Sequence, residues 1–164
     1  MRWQEIGETR CSIARCLSVV GDRWTLLILR EAFLGTRRFE DFQRHLGVTR
    51  HRLADRLRRL VKSDVLDRVP YQDRPRRFEY RLTEKGLDLY PVVISLMRWG
   101  DRWMTGQEEP PVKLVHRRCG HAMTPELVCP ECGEAVHLHD VEALMSPALL
   151  RRRGQEELPS LDRD

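Results

Sequence analysis

The sequence predicts a mainly α (α+β) fold: a run of amphipathic helices with one β-hairpin, followed by a small Cys- and His-rich module. Three observations carry this. Apolar residues recur at helical spacing from Cys11 to Ser63 and again from Thr83 to Met104. Between those stretches the period changes to alternation. Three of the five cysteines fall between positions 119 and 132.

The elements follow in order. Cys11 to Val20 reads as a short helix with Ile13, Ala14, Leu17 and Val20 on one face. Gly21-Asp22 breaks it, and Asp22 suits the N-cap of a second helix, Arg23 to Phe33. That helix is apolar nearly all round and is expected at the centre of the core, with Gly35 at its C-terminal end. A third helix spans about Arg38 to Leu46, carrying Phe39, Phe42 and Leu46. After the short turn Gly47-Val48, Thr49 can cap a fourth helix that reaches about Ser63. Two helices joined by a short Gly-containing turn make a helix-turn-helix.

Val65 to Val69 and Arg77 to Leu82 then read as two strands around a long basic tip, Tyr71 to Arg76. Thr83 opens a last helix, expected to run unbroken to Met104. Its apolar residues, among them Leu87, Tyr90, Val93, Ile94, Met97 and Trp99, cover much of its circumference and call for a second partner surface. The expected organisation is therefore a domain over 1–104, a linker over 105–113, a module over 114–145 and a flexible tail over 146–164. No internal repeat is read from the sequence.

Charge divides the chain. Up to Met104 there are 22 Lys and Arg against 14 Asp and Glu, and 20 of those cations are Arg; from Thr105 there are 7 against 11. An Arg excess suits phosphates and guanine edges. On the fourth helix, at 100° per residue, Leu53, Leu57, Leu60 and Val61 share one side. His51, Arg52, Asp55, Arg58 and Arg59 share the other, with Arg56 at the flank. Such a helix fits the major groove of double-stranded DNA, its N-terminal residues on base edges. Arg50, His51, Arg52 and Asp55 are nominated there and Arg56 and Arg59 for phosphates, with Thr49 at the helix start also in the DNA-binding set. A solvated amphipathic helix would look similar, but a basic hairpin follows directly. Arg74, Arg76 and Arg77 can reach flanking backbone or minor groove, which makes a winged helix-turn-helix.

The segments GDRWTLLILRE, RFEDFQ, LADRLRRL and YRLTEKG resemble the HxlR-type family of bacterial transcriptional regulators, MarR-like winged-helix proteins, over about Cys11 to Trp99. The resemblance implies a homodimer joined through its terminal helices. It implies binding to a pseudo-palindromic operator, repression more readily than activation, and a small-molecule or redox effector. Asp55 stands where the family often has Gln; cytosine N4 or an Arg partner would suit its carboxylate. Cys11 stands where many members carry a redox-reactive cysteine, though a small buried residue at the dimer contact fits the position as well.

In the module, Cys129 and Cys132 are two residues apart in CPECG, as are His116 and Cys119 in HRRCG. Together they spell H-x2-C-x9-C-x2-C, the ligand set of one closed, structural Zn2+ per chain. His121 rivals His116 for the fourth place. A closed set leaves no open position for water, and the chain has no phosphate loop, nucleophile elbow or paired carboxylates in an apolar setting, so no enzyme is expected. No run of about 18 apolar residues exists to cross a membrane. A cytoplasmic location is expected from the start of the chain, which has no apolar core of a signal peptide. The competing expectations are a zinc-ribbon adaptor for protein partners and a metal- or redox-responsive regulator.

Overall fold

The computed structural model of the chain describes residues 3–106 and 109–153. The chain divides into two units, 1–110 and 111–164. After a short 3-10 helix at Trp3–Glu8, the first unit contains α1 (Ser12–Val20), α2 (Arg23–Phe33), α3 (Phe39–Leu46) and α4 (Arg50–Lys62). The strands β1 (Leu66–Asp73) and β2 (Arg76–Leu82) follow, then α5 (Glu84–Leu87) and α6 (Tyr90–Trp103).

As expected, α2 is central and packs against α1, α3, α4, α6 and β2. Asp22 caps it, its Oδ1 accepting from the backbone N–H of Trp24 at 3.0 Å and Thr25 at 3.3 Å. Gly35, just past its end, takes φ +93°, a conformation that a side chain disfavours. Gly47 closes α3 in the same left-handed region. Ile28 and Leu29 of α2, Phe42 of α3, Leu53, Leu57 and Leu60 of α4, and Val65 and Leu66 form one buried cluster. Burying such side chains stabilises the domain by about 1.5–3 kcal/mol each before chain entropy is counted.

Glu31 is the one charged side chain in that interior among the described residues. Its Oε1 accepts from Arg30 Nη2 at 2.8 Å. Its Oε2 accepts from the Thr36 hydroxyl at 3.2 Å and lies 2.9 Å from His45 Nδ1. Burial alone would raise its pKa. The hydrogen bonds from Arg30, His45 and Thr36, with the charge of Arg30, outweigh burial and hold the carboxyl below its ordinary value. The carboxylate thus ties the C-terminal end of α2 to the C-terminal end of α3.

The hairpin is longer and tighter than expected. Its strands pair from Leu66↔Leu82 to Asp73↔Arg76, leaving only Arg74-Pro75 at the tip, where the peptide is cis. A third segment joins it: Tyr80 N–H donates to Arg37 O at 2.8 Å, and Arg38 bridges Glu79.

The last helix is broken, where one continuous helix was expected. Thr83 caps α5, its hydroxyl accepting from Gly86 N–H at 3.0 Å and donating to Asp64 O at 2.7 Å. Gly86 lies so close to β1 that a Cβ there would stand 2.2 Å from Val65 O. The helix then stops at Asp88-Leu89, and α6 begins with Pro91 in its first turn. Proline is at home in a first turn because its missing N–H would be unpaired there, but it cannot continue a preceding helix.

The second unit contains β3 (Leu114–Val115) paired antiparallel with β4 (Ala122–Met123), and the helix α7 (Pro147–Arg153). That helix lies within the segment expected as a flexible tail; positions 154–164 lie outside the described residues. None of the described residues of this unit is buried. Among the described residues of the whole chain, no helix is long and apolar enough to cross a membrane.

Candidate nucleic-acid interface

The apolar side of α4 is Leu53, Leu57 and Leu60, all buried, so its opposite side must face outward. Thr49, Arg50, His51, Arg52, Arg58 and Arg59 are exposed. Thr49 is the N-cap residue of α4 as expected, but its side chain makes no capping bond, so the first N–H groups of the helix stay open. Arg50 lies over the Phe39 ring at 4.8 Å and Arg52 over the Trp24 ring at 5.8 Å. These contacts settle the guanidinium stems on aromatic faces while the charge remains at the surface.

Asp55 and Arg56 behave differently from their neighbours. Arg56 Nε lies 3.0 Å from Asp22 Oδ1, and its Nη2 donates to Oδ2 at 3.2 Å. Its Nη1 donates to Asp55 Oδ2 at 3.2 Å. The Arg56 side chain, expected on phosphates, is only 21% exposed. It locks α4 against the N-terminus of α2, a role that shows only once both helices are placed. Asp55 also pairs with Arg59 Nε at 3.0 Å and stands 3.8 Å from Arg58. Of the two partners the sequence left open for Asp55, the structure supplies arginine.

On the hairpin, Arg74, Arg76 and Arg77 are all exposed, as the wing requires. Arg76 and Arg68 flank the Phe78 ring at 5.3 and 3.6 Å, and Arg38 lies over Tyr71 at 4.9 Å. The sequence alone points to neither Arg38 nor Arg68. Their aromatic partners are not their strand partners, since Arg68 is paired with Tyr80 and Arg38 bridges Glu79, so only the folded hairpin shows the contacts.

Cys11 is exposed at the N-cap of α1. In the second unit, His116 Nδ1 lies 3.3 Å from Cys119 Sγ. Cys129 and Cys132 also meet: backbone N–H groups of Cys132 and Glu131, and then the Cys132 thiol, hydrogen-bond to Cys129 and lower its pKa. The two expected pairs are thus formed. Among the described residues, however, no three His, Cys, Asp or Glu side chains gather closely enough to hold a metal ion.

The HxlR-like helix-turn-helix family matches residues 19–108. The uncharacterised HTH-type transcriptional regulator Rv3095 of Mycobacterium tuberculosis is 51% identical over 130 residues, covering 79% of this chain and 82% of the relative. The crystal structure of PA1607, described as a candidate transcription factor, superposes with a TM-score of 0.76 at 34% identity. It covers 88% of this chain and 100% of that one, so the likeness passes beyond the 110 residues of the first unit. The redox regulator HypR in its oxidised form has a TM-score of 0.53 at 31% identity, over 56% of this chain and 96% of that one. A basic helix anchored on its apolar side, a wing beside it and this likeness lead to one assignment. The chain belongs to the HxlR family of winged helix-turn-helix transcriptional regulators, proteins that act on DNA and are not enzymes.

Proposed function

We propose that the protein is a cytoplasmic homodimer that represses transcription by occupying a pseudo-palindromic operator. α4 enters the major groove, with Arg50, His51 and Arg52 on base edges and Arg59 on phosphates. Arg74, Arg76 and Arg77 of the wing hold the flanking backbone. The observation that carries the dimer is an apolar stripe left uncovered on α6. Val92, Leu96, Trp99 and Trp103 recur at spacings of four, three and four, on one face, and are 41%, 50%, 59% and 62% exposed. Ile13 of α1 is exposed as well. Ile94 of the same helix is buried, so one face of α6 serves the protomer and the other is free for a second copy. A two-fold axis there would set two recognition helices one DNA turn apart, about 34 Å.

Leu96→Glu tests this directly. The wild type should sediment as a dimer and protect two half-sites in a footprint. The variant should sediment as a folded monomer and lose operator binding steeply. A wild type that is monomeric at micromolar concentration would refute the proposal.

A redox-responsive form of this reading rests on Cys11, exposed where the first N–H groups of α1 point outward. The likeness to the redox regulator HypR lends it support. Operator binding that responds to oxidant in the wild type and not in Cys11→Ser would establish it.

A further inference from the structure

We propose that residues 114–136 form a duplicated knuckle holding one Zn2+ through His116, Cys119, Cys129 and Cys132. Where no internal repeat is expected, the backbone hydrogen bonds reveal one. Leu114–Met123 and Leu127–Val136 are offset by 13 positions. Five of their ten pairs are identical: Leu114 with Leu127, Val115 with Val128, Cys119 with Cys132, Gly120 with Gly133, and Ala122 with Ala135.

The hydrogen bonds repeat with the residues. Gly120 N–H donates to His116 O at 2.8 Å, and Gly133 N–H donates to Cys129 O at 2.8 Å. His116 N–H donates to His121 O at 2.9 Å, and Cys129 N–H donates to Glu134 O at 2.8 Å. Val115 pairs with Ala122 as Val128 pairs with Ala135. Both glycines sit at positive φ, +74° and +77°, which a side chain would oppose. Each half is therefore the same tight turn, and each brings its two ligand positions side by side; among the described residues no third donor joins either pair, so the ion would have to draw the two turns together.

The equivalence chooses between the two histidines. His116 matches Cys129, and His121 matches Glu134, whose place is to close the turn with its carbonyl. The donor set is thus three thiols and one imidazole, a combination that suits Zn2+ and is poor for hard cations. Binding would release the three thiol protons to solvent. What the ion supplies is cohesion. With no buried residue among those described, the unit has no core of its own, so a metal joining the two halves would provide most of its folding free energy.

The test uses the full chain purified without chelator. Elemental analysis should find one zinc per chain, and Co2+ in its place should give the thiolate charge-transfer absorption of a tetrahedral site. His116→Ala and Cys132→Ser should lose the metal, while His121→Ala retains it. His116→Cys should retain it too, with stronger cobalt–thiolate absorption, which separates ligand loss from misfolding. The helical circular dichroism of the winged domain should not change in any of these variants. A wild type without metal would overturn the proposal, as would retention in His116→Ala together with loss in His121→Ala.

Discussion

Asp22 is a small residue with two tasks, and replacing it separates them. Its Oδ1 caps α2 through Trp24 N–H at 3.0 Å and Thr25 N–H at 3.3 Å. The same carboxylate receives Arg56 from the recognition helix at 3.0 and 3.2 Å. Loss of an N-cap costs about 1 kcal/mol. An ion pair at a surface is worth about 0.2–1 kcal/mol, and this one is more covered than most, so about 1 kcal/mol is appropriate. Arg56 keeps Asp55 at 3.2 Å, which limits the penalty of a stranded charge. Asp22→Ala should therefore cost about 2 kcal/mol. Asp22→Asn, which caps equally well but carries no charge, should cost about 1 kcal/mol. Guanidinium unfolding followed by helical circular dichroism reads both, at one protein concentration so that dimer linkage cancels. Because Arg56 also orients α4, both variants should weaken operator binding at temperatures where they remain folded. Asp22→Ala within 0.5 kcal/mol of wild type would refute the cap and pair together, and Asp22→Asn as damaging as Asp22→Ala would refute the division between them.

The faces of the DNA-binding surface make a second prediction. Arg52→Ala should weaken the true operator by roughly 1–3 kcal/mol and relax its specificity, whereas Arg76→Ala should weaken all sequences about equally and flatten the salt dependence. Titrations against operator and scrambled duplexes would show it; equal uniform losses in both variants would mean the faces are wrongly assigned. A third prediction concerns acid. The Glu31 carboxyl titrates lower in the folded chain than its ordinary 4.5, so its stabilisation is full above that value and is lost as pH falls through the folded pKa. Glu31→Gln should be less stable than wild type near neutrality, and the gap should close in strong acid. An equal gap at both pH values would show that the charge of Glu31 plays no part.

The local rules of the chain were legible where one residue decides the outcome. Asp22 caps α2 because a carboxylate before a helix meets its free N–H groups. Gly35 and Gly47 end helices because they alone reach positive φ there without strain. The period of Leu53, Leu57 and Leu60 orients α4, and with it the outward arginines, whatever its neighbours are. Even the break before α6 was written in Pro91, but the continuous apolar periodicity on either side masked it.

The sequence by itself therefore determined the first four helices and the hairpin in their order, the basic face of α4 and the wing. Only the tertiary structure decided which of the nominated arginines stay exposed. Arg56, at the flank of the helical projection, and Arg59, on its outer side, both read as phosphate contacts, yet Asp22, 34 positions before Arg56, draws Arg56 inward, while Arg59 stays exposed beside Asp55. It also decided that Arg38 belongs beside the wing, and that His116 N–H and Cys129 N–H close two like turns. The physical reason is common to all three. Periodicity and capping act over a few residues, whereas charge pairing and turn equivalence depend on atoms that only folding brings within a few ångströms.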